Sequence, residues 1–318
     1  MGTVTHMSRR AAVAEGVLVV NKEAGWTSHD VVAKVRGLLG GVKVGHAGTL
    51  DPAATGVLPV LVGRATRVAE YLVDWDKEYC AVLRLGETTD TQDATGKVLA
   101  QADPSVVLEA ALYEVAARFR GPQRQVPPMY SAVKVGGRPL YKAARAGETV
   151  DRADRPIIVH ALDILTVDGR DVTLRVVCSK GTYIRTLCAD IGQALGVGGH
   201  LAALERRRVG PLSIEQALTV DQVADRAAIG TLSRHLIPLN QVLDRLPGVT
   251  VTDEQARSVL HGGAVSPVGI ERLPCSGEPV SIRLQDREGR LLAIGIYDGK
   301  TAGIVKIHKV LAESESLN

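Results

Sequence analysis

The hydrophobic residues follow a strand-like period of two in some segments and a helical period in others, and neither period predominates. Apolar runs or strict apolar–polar alternation predict strands at residues 16–21, 57–62, 79–85 and 172–178. Pro59 inside the second run indicates an edge strand or an irregularity, because proline cannot donate to a strand ladder. Two short runs on either side of Gly136-Gly137 predict a hairpin.

Segments with helical spacing lie between these strands. Thr27 and Ser28 can cap the first of them, and Thr66 the second. The predicted helices cover residues 31–39, 67–73, 106–119, 141–146 and 182–195. Strands and helices do not alternate strictly, which favours an α+β fold with a mixed, mainly antiparallel central sheet over a doubly wound fold.

The pattern changes beyond the turn pair Pro247-Gly248. Short strands separated by polar turns are predicted at residues 280–284, 291–297 and 304–310. We therefore expect a flexible tail over residues 1–12, a large domain over residues 13–243 and a small β-rich domain over residues 247–312.

Composition narrows the class of protein. The 318 residues are 45% hydrophobic and 23% charged, which is ordinary for a soluble globular protein. No apolar run approaches the ~18–20 residues of a membrane span, and the first ten residues lack the apolar region of a secretory signal. The four cysteines, none in a C-x-x-C pair, predict isolated reduced thiols in a cytoplasmic chain; they are Cys80, Cys178, Cys188 and Cys275.

The net charge does not decide what kind of partner the protein binds. The formal net charge of +3 is compatible with a polyanionic partner but does not require one. A set of basic residues could line a phosphate track, although such runs are usually solvated faces. The set comprises Arg64, Arg67, Lys134, Arg138, Arg206, Arg207 and Arg208.

Asp51 stands in a run rich in conformationally special residues, GHAGTLDPAATG over residues 45–56. The run lacks the Lys-Ser/Thr of a phosphate-binding P-loop. Its glycines permit close approach of a ligand, and Pro52 biases Asp51 toward an extended backbone. Asp51 is therefore either a structural turn residue or a carboxylate presented to a ligand.

Arg185 favours the second interpretation. It falls in the first turn of a predicted helix, where a cation opposes the helix dipole unless a carboxylate faces it. A guanidinium can hold a carboxylate bidentately and lower its pKa. We therefore predict an Asp51–Arg185 pair in a glycine-lined cleft; the alternative is a surface arginine. Tyr79 and Tyr183 are candidates for stacking on a base, and His46 for a contact near Asp51.

Six segments, in order, resemble the bacterial tRNA pseudouridine synthase B family and span roughly residues 16–212. They are GVLVVNKEAGWTSHDVV, KVGHAGTLDPAATGVLPVLVGRATRVAEYL, DKEYCAVLRLGETTDTQDATG, VPPMYSAVKVGGRPLYKAARAG, CSKGTYIRTLCADIG and LERRRVGP. The resemblance implies isomerisation of uridine to pseudouridine at position 55, in the T-arm loop of tRNA, with no metal or other cofactor. The usual Lys-Pro of the first segment is Lys22-Glu23 here, which puts the local loop geometry in doubt.

The resemblance also assigns catalytic roles. Asp51 matches the essential aspartate, which acts either as a nucleophile or as the base that draws a sugar proton. Arg185 matches the arginine paired with it, and Tyr79 the tyrosine that packs on the target base and can take its C5 proton. His46 matches a residue that displaces the loop and fills the vacated stack.

Substrate contacts follow from the same matches. Tyr183 and Leu204 match residues that line the base pocket, and Lys22, Lys134 and Lys180 are expected to bind substrate. The segment around residues 124–150 matches an insertion that closes on the T-arm. Residues 247–312 are similar to a PUA-type RNA-binding module.

Two other functions remain in view. One is a dyskerin-like synthase guided by a separate RNA; the T-arm insertion and the lack of long basic extensions count against it. The other is a tRNA-folding chaperone, which could coexist with the enzyme. We expect a cytoplasmic monomer that binds the T-arm of tRNA, with no membrane and no obligatory protein partner.

Overall fold

The computed structural model describes residues 15–131, 133–270, 278–299 and 303–312. The predicted tail over residues 1–12 and Cys275 lie outside these ranges. The helices are α1 (Ser28–Leu38), α2 (Ala69–Val73), α3 (Glu109–Arg118), α4 (Leu140–Arg145), α5 (Ile184–Ala194), α6 (Val220–Ala228), α7 (Leu239–Val242) and α8 (Asp253–Leu260).

The strands outnumber the helices in the described residues. They are β1 (Gly16–Lys22), β2 (Val44–His46), β3 (Thr55–Val62), β4 (Lys77–Leu85), β5 (Glu87–Thr89), β6 (Val98–Gln101), β7 (Gly121–Gln125), β8 (Lys134–Val135), β9 (Arg138–Pro139), β10 (Arg155–Asp168), β11 (Asp171–Cys178), β12 (Gly199–Val209), β13 (Leu212–Ser213), β14 (Leu218–Thr219), β15 (Gly248–Thr250), β16 (Val280–Gln285), β17 (Leu291–Tyr297) and β18 (Val305–Val310).

Ten of these strands form one large sheet in the order β14-β1-β3-β12-β4-β11-β10-β7, with β2 on β3 and β13 on β12. Its neighbouring strands pair antiparallel except at β1–β14 and β3–β12, which pair parallel. The structure thus confirms the predicted α+β fold with a mixed, mainly antiparallel sheet.

The alternation along β4 decides which face of the sheet holds the core. Tyr79, Ala81 and Leu83 point inward and pack with Leu187 of α5, whereas Glu78 lies on the opposite, half-exposed face. Burying a side chain such as Leu83 contributes about 2 kcal/mol. This burial anchors α5, the helix that carries Arg185, against the middle of the sheet.

Pro59 occupies an irregularity of an interior strand, one of the two predicted alternatives. On one side of β3 it pairs with Val19 of β1. On the other side the partner changes, from β12 at Gly56 to β2 at Val60. Proline therefore falls where one partner strand gives way to another, and β3 is not an edge strand.

The predicted cap at Thr66 is wrong. The Thr66 hydroxyl donates to the carbonyl of Gly63 at 2.9 Å within a 3-10 turn, Gly63–Val68. Helix α2 begins only at Ala69, after Val68, and has no side-chain cap. The tight turn uses the residues that the sequence pattern had assigned to the first part of the helix.

The four-stranded sheet β15-β16-β17-β18 begins at Gly248, at the turn pair where the hydrophobic pattern changes. It has an apolar core of its own with α8. It also shares a second core with the large sheet, because Leu291, Ile294 and Leu311 pack in one cluster with Trp75 and Leu243. No helix among the described residues is long and apolar enough to cross a membrane.

Candidate active site

The loop that carries Asp51 is held from beneath by the buried side chain of Arg206. Arg206, 2% exposed, donates from Nε to the carbonyl of Val57 at 2.7 Å, from Nη2 to Gly48 at 2.9 Å and from Nη1 to Thr49 at 3.3 Å. These bonds fix both ends of the loop between β2 and β3. They also satisfy carbonyl groups that burial would otherwise leave unpaired.

Gly56 lets this loop lie directly on β12. Its φ is +100°, and a Cβ there would overlap the backbone of Arg206. A side chain at this position would therefore meet both backbone strain and a steric clash. The sequence suggested that the glycines clear a path for a ligand, whereas at Gly56 the close approach is made by the protein's own strand.

Lys22 holds the residue that follows Asp51. It is 0% exposed, and its Nζ donates to the carbonyls of Trp26 at 2.7 Å, Glu23 at 2.9 Å and Pro52 at 3.2 Å. Burial lowers the pKa of the ammonium to about 8. Lys22 has no exposed surface, so in this geometry it cannot make the predicted contact with substrate.

The segment after Lys22 is fixed to the Asp51 loop although it lacks the family's proline. The carbonyl of Pro52 also accepts a hydrogen bond from the backbone N–H of Gly25, at 2.9 Å. Together with the Lys22 ammonium this ties the first segment to the Asp51 loop without a proline at position 23. Glu23 is exposed, so its charge lies toward solvent.

Asp51 and Arg185 form the predicted pair. Arg185 Nε lies 3.1 Å from Asp51 Oδ2, and the side chains are 8% and 46% exposed, respectively. The predicted bidentate contact is not present, because Arg185 Nη2 instead donates to the carbonyl of Tyr130 at 2.8 Å. Arg185 Nη1 faces the carbonyl of Thr91 at 3.4 Å.

A second carboxylate, that of Asp93, joins the pair. Its Oδ2 lies 3.8 Å from Arg185 Nη1. Its Oδ1 accepts hydrogen bonds from the hydroxyls of Thr91 at 2.8 Å and Thr95 at 2.6 Å. The sequence patterns assign no role to Asp93; the signal that could have marked it is the acidic pair Asp90 and Asp93 in a short threonine-rich stretch.

The charges around Asp51 oppose each other. Burial raises the pKa of its carboxyl above the usual range, Arg185 opposes that rise, Asp93 adds to it and Lys22 opposes it. The result is a carboxylate that is more basic than an exposed aspartate although it interacts with the cations Arg185 and Lys22. Such a group can take a proton or attack an electrophilic carbon near neutral pH.

Tyr79 is buried in β4, 9% exposed, beneath the site. Burial raises the pKa of its phenol to about 12; the Arg206 guanidinium opposes this rise, and the charge of Asp51 contributes to it. The phenol is therefore neutral at pH 7. An aromatic ring that is held in this way can offer a face to a planar base.

His46 lies at the end of β2, near the start of α1. Its ring meets the ring of His29 edge-on, with centroids 5.5 Å apart. Its buried Nδ1 has no hydrogen-bond partner among the described residues. Burial, with the charges of His29 and Arg206, lowers the pKa of His46, so the ring is neutral at pH 7.

A cleft opens beside Asp51. Arg185, Asp93 and the predicted pocket residue Leu204 line it together with small side chains. The small residues of the wall are Ala53, Ala54, Ala94, Ala202 and Ala203. Small apolar walls around one carboxylate leave room for a flat ring to approach it.

The remaining predicted contacts lie outside the lining of this cleft. Tyr183 directly precedes α5, and its backbone N–H and C=O are both bonded to the amide of Gln125. Lys180 is exposed and pairs with Asp74 at 2.7 Å. Lys134 is exposed on the β8–β9 hairpin. These residues are not among those that line the cleft.

The run Arg206-Arg207-Arg208 is one candidate for a phosphate track, and in the structure its three side chains contact the protein itself. Arg206 is the buried support of the Asp51 loop. Arg207 pairs with Glu205 at 3.0 Å, and Arg208 pairs with Glu78 at 2.9 Å. Arg207 and Arg208 thus each have a carboxylate partner, whereas Arg206 is bonded to backbone carbonyls. In the described residues no group of three or more His, Cys, Asp or Glu side chains could hold a metal ion.

Comparison of the sequence with known proteins gives one family. The model for "TruB family pseudouridylate synthase (N terminal domain)" matches residues 36–184, and that for "tRNA pseudouridylate synthase B C-terminal domain" matches residues 185–244. The tRNA pseudouridine synthase B of Pseudomonas putida strain GB-1 is 44% identical over 292 residues, 90% of this chain and 93% of that protein. That of Thermobifida fusca strain YX is 45% identical over 290 residues, 89% and 94% of the two chains.

Solved structures of similar shape point the same way. A chain of the Cbf5-Nop10-Gar1 complex matches with a TM-score of 0.74 and 30% identity, over 96% of this chain and 87% of that one. A chain of an H/ACA RNP bound to a substrate RNA containing 2'-deoxyuridine matches with a TM-score of 0.71 and 29% identity, over 94% and 86% of the two chains.

Proposed function

The chain belongs to the TruB family of pseudouridylate synthases, and we propose that it isomerises uridine-55 in the T-arm loop of tRNA, with Asp51 as the catalytic carboxylate. The observation that carries the assignment is the 3.1 Å contact of Arg185 Nε with Asp51 Oδ2 at the edge of a cleft. Arg185 orients the carboxylate and favours its ionised form.

The reaction sets the demands on the site. The N1–C1' glycosidic bond breaks, the uracil turns and C5 bonds to C1'. C5 gives up its proton and N1 takes one up, so the overall change is an isomerisation. A stacked base cannot turn, and it must first leave the loop for a pocket. We assign the flipped uracil to the cleft beside Asp51, because small apolar side chains line most of its wall next to the paired carboxylate.

Tyr79 and His46 take supporting roles in this proposal. A phenol with a pKa of about 12 is protonated at neutral pH, which suits packing on the uracil better than proton abstraction from C5. The buried Nδ1 of His46 lacks a partner, and displacement of the loop by an entering nucleotide would give it one. An unsatisfied polar atom is costly, so a bound partner would stabilise it.

The T-arm would dock on the segment of residues 124–150, which contains the β8–β9 hairpin and α4. This segment connects to the site, since the carbonyl of Tyr130 within it accepts a hydrogen bond from Arg185. Lys134 and Arg138 expose positive charge on the hairpin, suited to phosphate contacts. We further propose that residues 247–312 form a PUA-like RNA-binding domain and that the protein acts as a cytoplasmic monomer.

The curated relatives favour a stand-alone enzyme over an RNA-guided one. Both bacterial proteins named above are tRNA pseudouridine synthases at 44% and 45% identity. The structural relatives that occur in complexes are 29% and 30% identical. The purified chain should therefore act without guide RNA or accessory protein.

Tritium release from a tRNA transcript carrying C5-tritiated uridine tests the proposal. Wild type alone should release one equivalent per tRNA, and Asp51→Asn should release none while still binding the transcript. Asp154→Asn, a matched change at an exposed carboxylate paired with Arg124, should behave as wild type. No release by wild type without guide RNA would overturn the proposal, as would normal release by Asp51→Asn.

A further inference from the structure

The loop between β5 and β6 holds a strained residue next to the site. Gln92 has a φ of +63°, the one left-handed backbone conformation found at a non-glycine residue among those described. Asn and Asp adopt this region far more readily than glutamine does. Strain of this kind persists only when the surrounding contacts determine it.

Several contacts hold Gln92 in place. The hydroxyl of Thr186, in α5, donates to Gln92 Oε1 at 2.8 Å. The backbone N–H of Leu201, in β12, donates to the carbonyl of Gln92 at 3.0 Å, and the N–H of Gln92 donates to the carbonyl of Thr89 at 3.2 Å. The strained residue is therefore joined to the helix and to the strand that form two sides of the cleft.

The residues on either side of Gln92 both face Arg185. The carbonyl of Thr91 lies 3.4 Å from Arg185 Nη1, and Asp93 Oδ2 lies 3.8 Å from the same nitrogen. A left-handed residue between them turns the chain so that both oxygens address one guanidinium. Thr186 follows Arg185 directly in α5, so its bond to Gln92 sets the loop relative to the helix that bears the arginine.

We propose that Gln92, held by Thr186, is a positioning residue for the isomerisation. It fixes Thr91 and Asp93 around one edge of the Arg185 guanidinium, and this leaves Nε directed at Asp51. The inference rests on the proposed function for its catalytic consequence. It adds a link between the β5–β6 loop and α5 that acts without touching the substrate.

The variant Thr186→Val tests the link with almost no change of volume. Single-turnover tritium release should fall about tenfold, because small displacements of an aligned group reduce rate strongly. The dissociation constant for tRNA should stay within about twofold, since neither residue faces the substrate. Thr186→Ser keeps the hydroxyl and should restore the rate. Thr173→Val makes the same change in β11, away from the site, and should leave the rate unaltered.

A second variant and a pH profile separate positioning from general loss of structure. Gln92→Gly relieves the backbone strain and removes the amide, so it should fold at least as well as wild type yet lose rate like Thr186→Val. In both variants the acid limb of the rate profile should move to higher pH. Arg185 and Lys22 lower the pKa of Asp51 and Asp93 raises it, so a displaced Arg185 leaves that pKa higher.

Titration of the Asp51 carboxyl by ¹³C NMR, assigned with Asp51→Asn, reads the same shift without turnover. A higher Asp51 pKa in Thr186→Val supports the positioning role whether or not tRNA is the substrate. If wild type releases no tritium while Thr186→Val still raises the pKa of Asp51, only the proposed function is refuted. Unchanged rates and an unchanged Asp51 pKa in both variants would overturn the positioning role, as would a rate loss matched by equal loss of tRNA affinity.

Discussion

Arg185 reaches the carboxylate of Asp51 through a single nitrogen, Nε, at 3.1 Å. Its other two nitrogens face the carbonyl oxygens of Tyr130 and Thr91 and the carboxylate of Asp93. One planar cation thus connects three separate loops at the cleft. A point charge could balance Asp51 but could not hold all of these groups in one plane.

Arg185→Lys should therefore lose turnover on the order of 100-fold while tRNA binding persists. The measurement is single-turnover tritium release beside filter binding of the same transcript. Arg175→Lys, at an ion pair with Glu78 on the opposite face of the sheet, is the matched control and should keep its turnover. Turnover near that of wild type in Arg185→Lys would refute the role given to the guanidinium fork.

The acid limb of activity should report the ionisation of Asp51. Burial and Asp93 raise the pKa of that carboxyl, so activity should fall as pH drops through a value above that of an ordinary aspartate. Asp93→Asn removes one negative neighbour, and the limb should move to lower pH. The asparagine Oδ1 can still accept from Thr91 and Thr95. A limb that moved to higher pH would show that displacement of Arg185 outweighs the lost charge.

Arg206→Met should destabilise the protein by about 3 kcal/mol or more, because the carbonyls of Gly48, Thr49 and Val57 lose a buried donor. Urea unfolding gives the change in free energy. Arg207→Met is the neighbouring control; its side chain is 45% exposed, and its loss should cost less than about 1 kcal/mol. Equal effects of the two substitutions would contradict the assigned burial.

Lys22 should make stability depend on pH in the alkaline range. Burial lowers its pKa to about 8 in the folded protein from 10.5. Between these values the unfolded chain binds more protons, so its free energy of unfolding rises with pH, on the order of 1 kcal/mol per unit. Lys22→Met should remove this increment from urea unfolding at pH 8, 9 and 10. Lys180→Met, at an exposed site, should keep it; the same slope in both variants would refute the assignment.

Much of the fold follows from local pattern. The alternation of β4 and the helical spacing of α5 are strong because each packs one face on a shared core. Asp51 and Arg185 could be paired from chemistry alone, since a cation in the first turn of a helix calls for an anion. These signals lie within short stretches of chain.

The inward-facing arginine and the contact of Asp93 with Arg185 could not be predicted, because they depend on strand register and on long-range contacts. β12 shifts its pairing with β4 between Leu201 and Ala203 and again between Arg206 and Arg208. Each shift breaks the period of two, so three successive arginines give no sign of which one turns inward. The contact of Asp93 with Arg185 joins residues 92 positions apart in the sequence, 185 minus 93, and no local periodicity encodes it.

The apolar cluster shared by the two sheets has a mechanical consequence. Leu291, Ile294 and Leu311 are packed into the same core as Trp75 and Leu243, and Arg283 is bonded to Asn240 across the junction. The second sheet is therefore packed directly against the first and is not joined to it by a linker alone. If residues 247–312 bind RNA as proposed, their contact point lies at a fixed distance from the Asp51 cleft, and RNAs whose two contact points are spaced differently should bind more weakly.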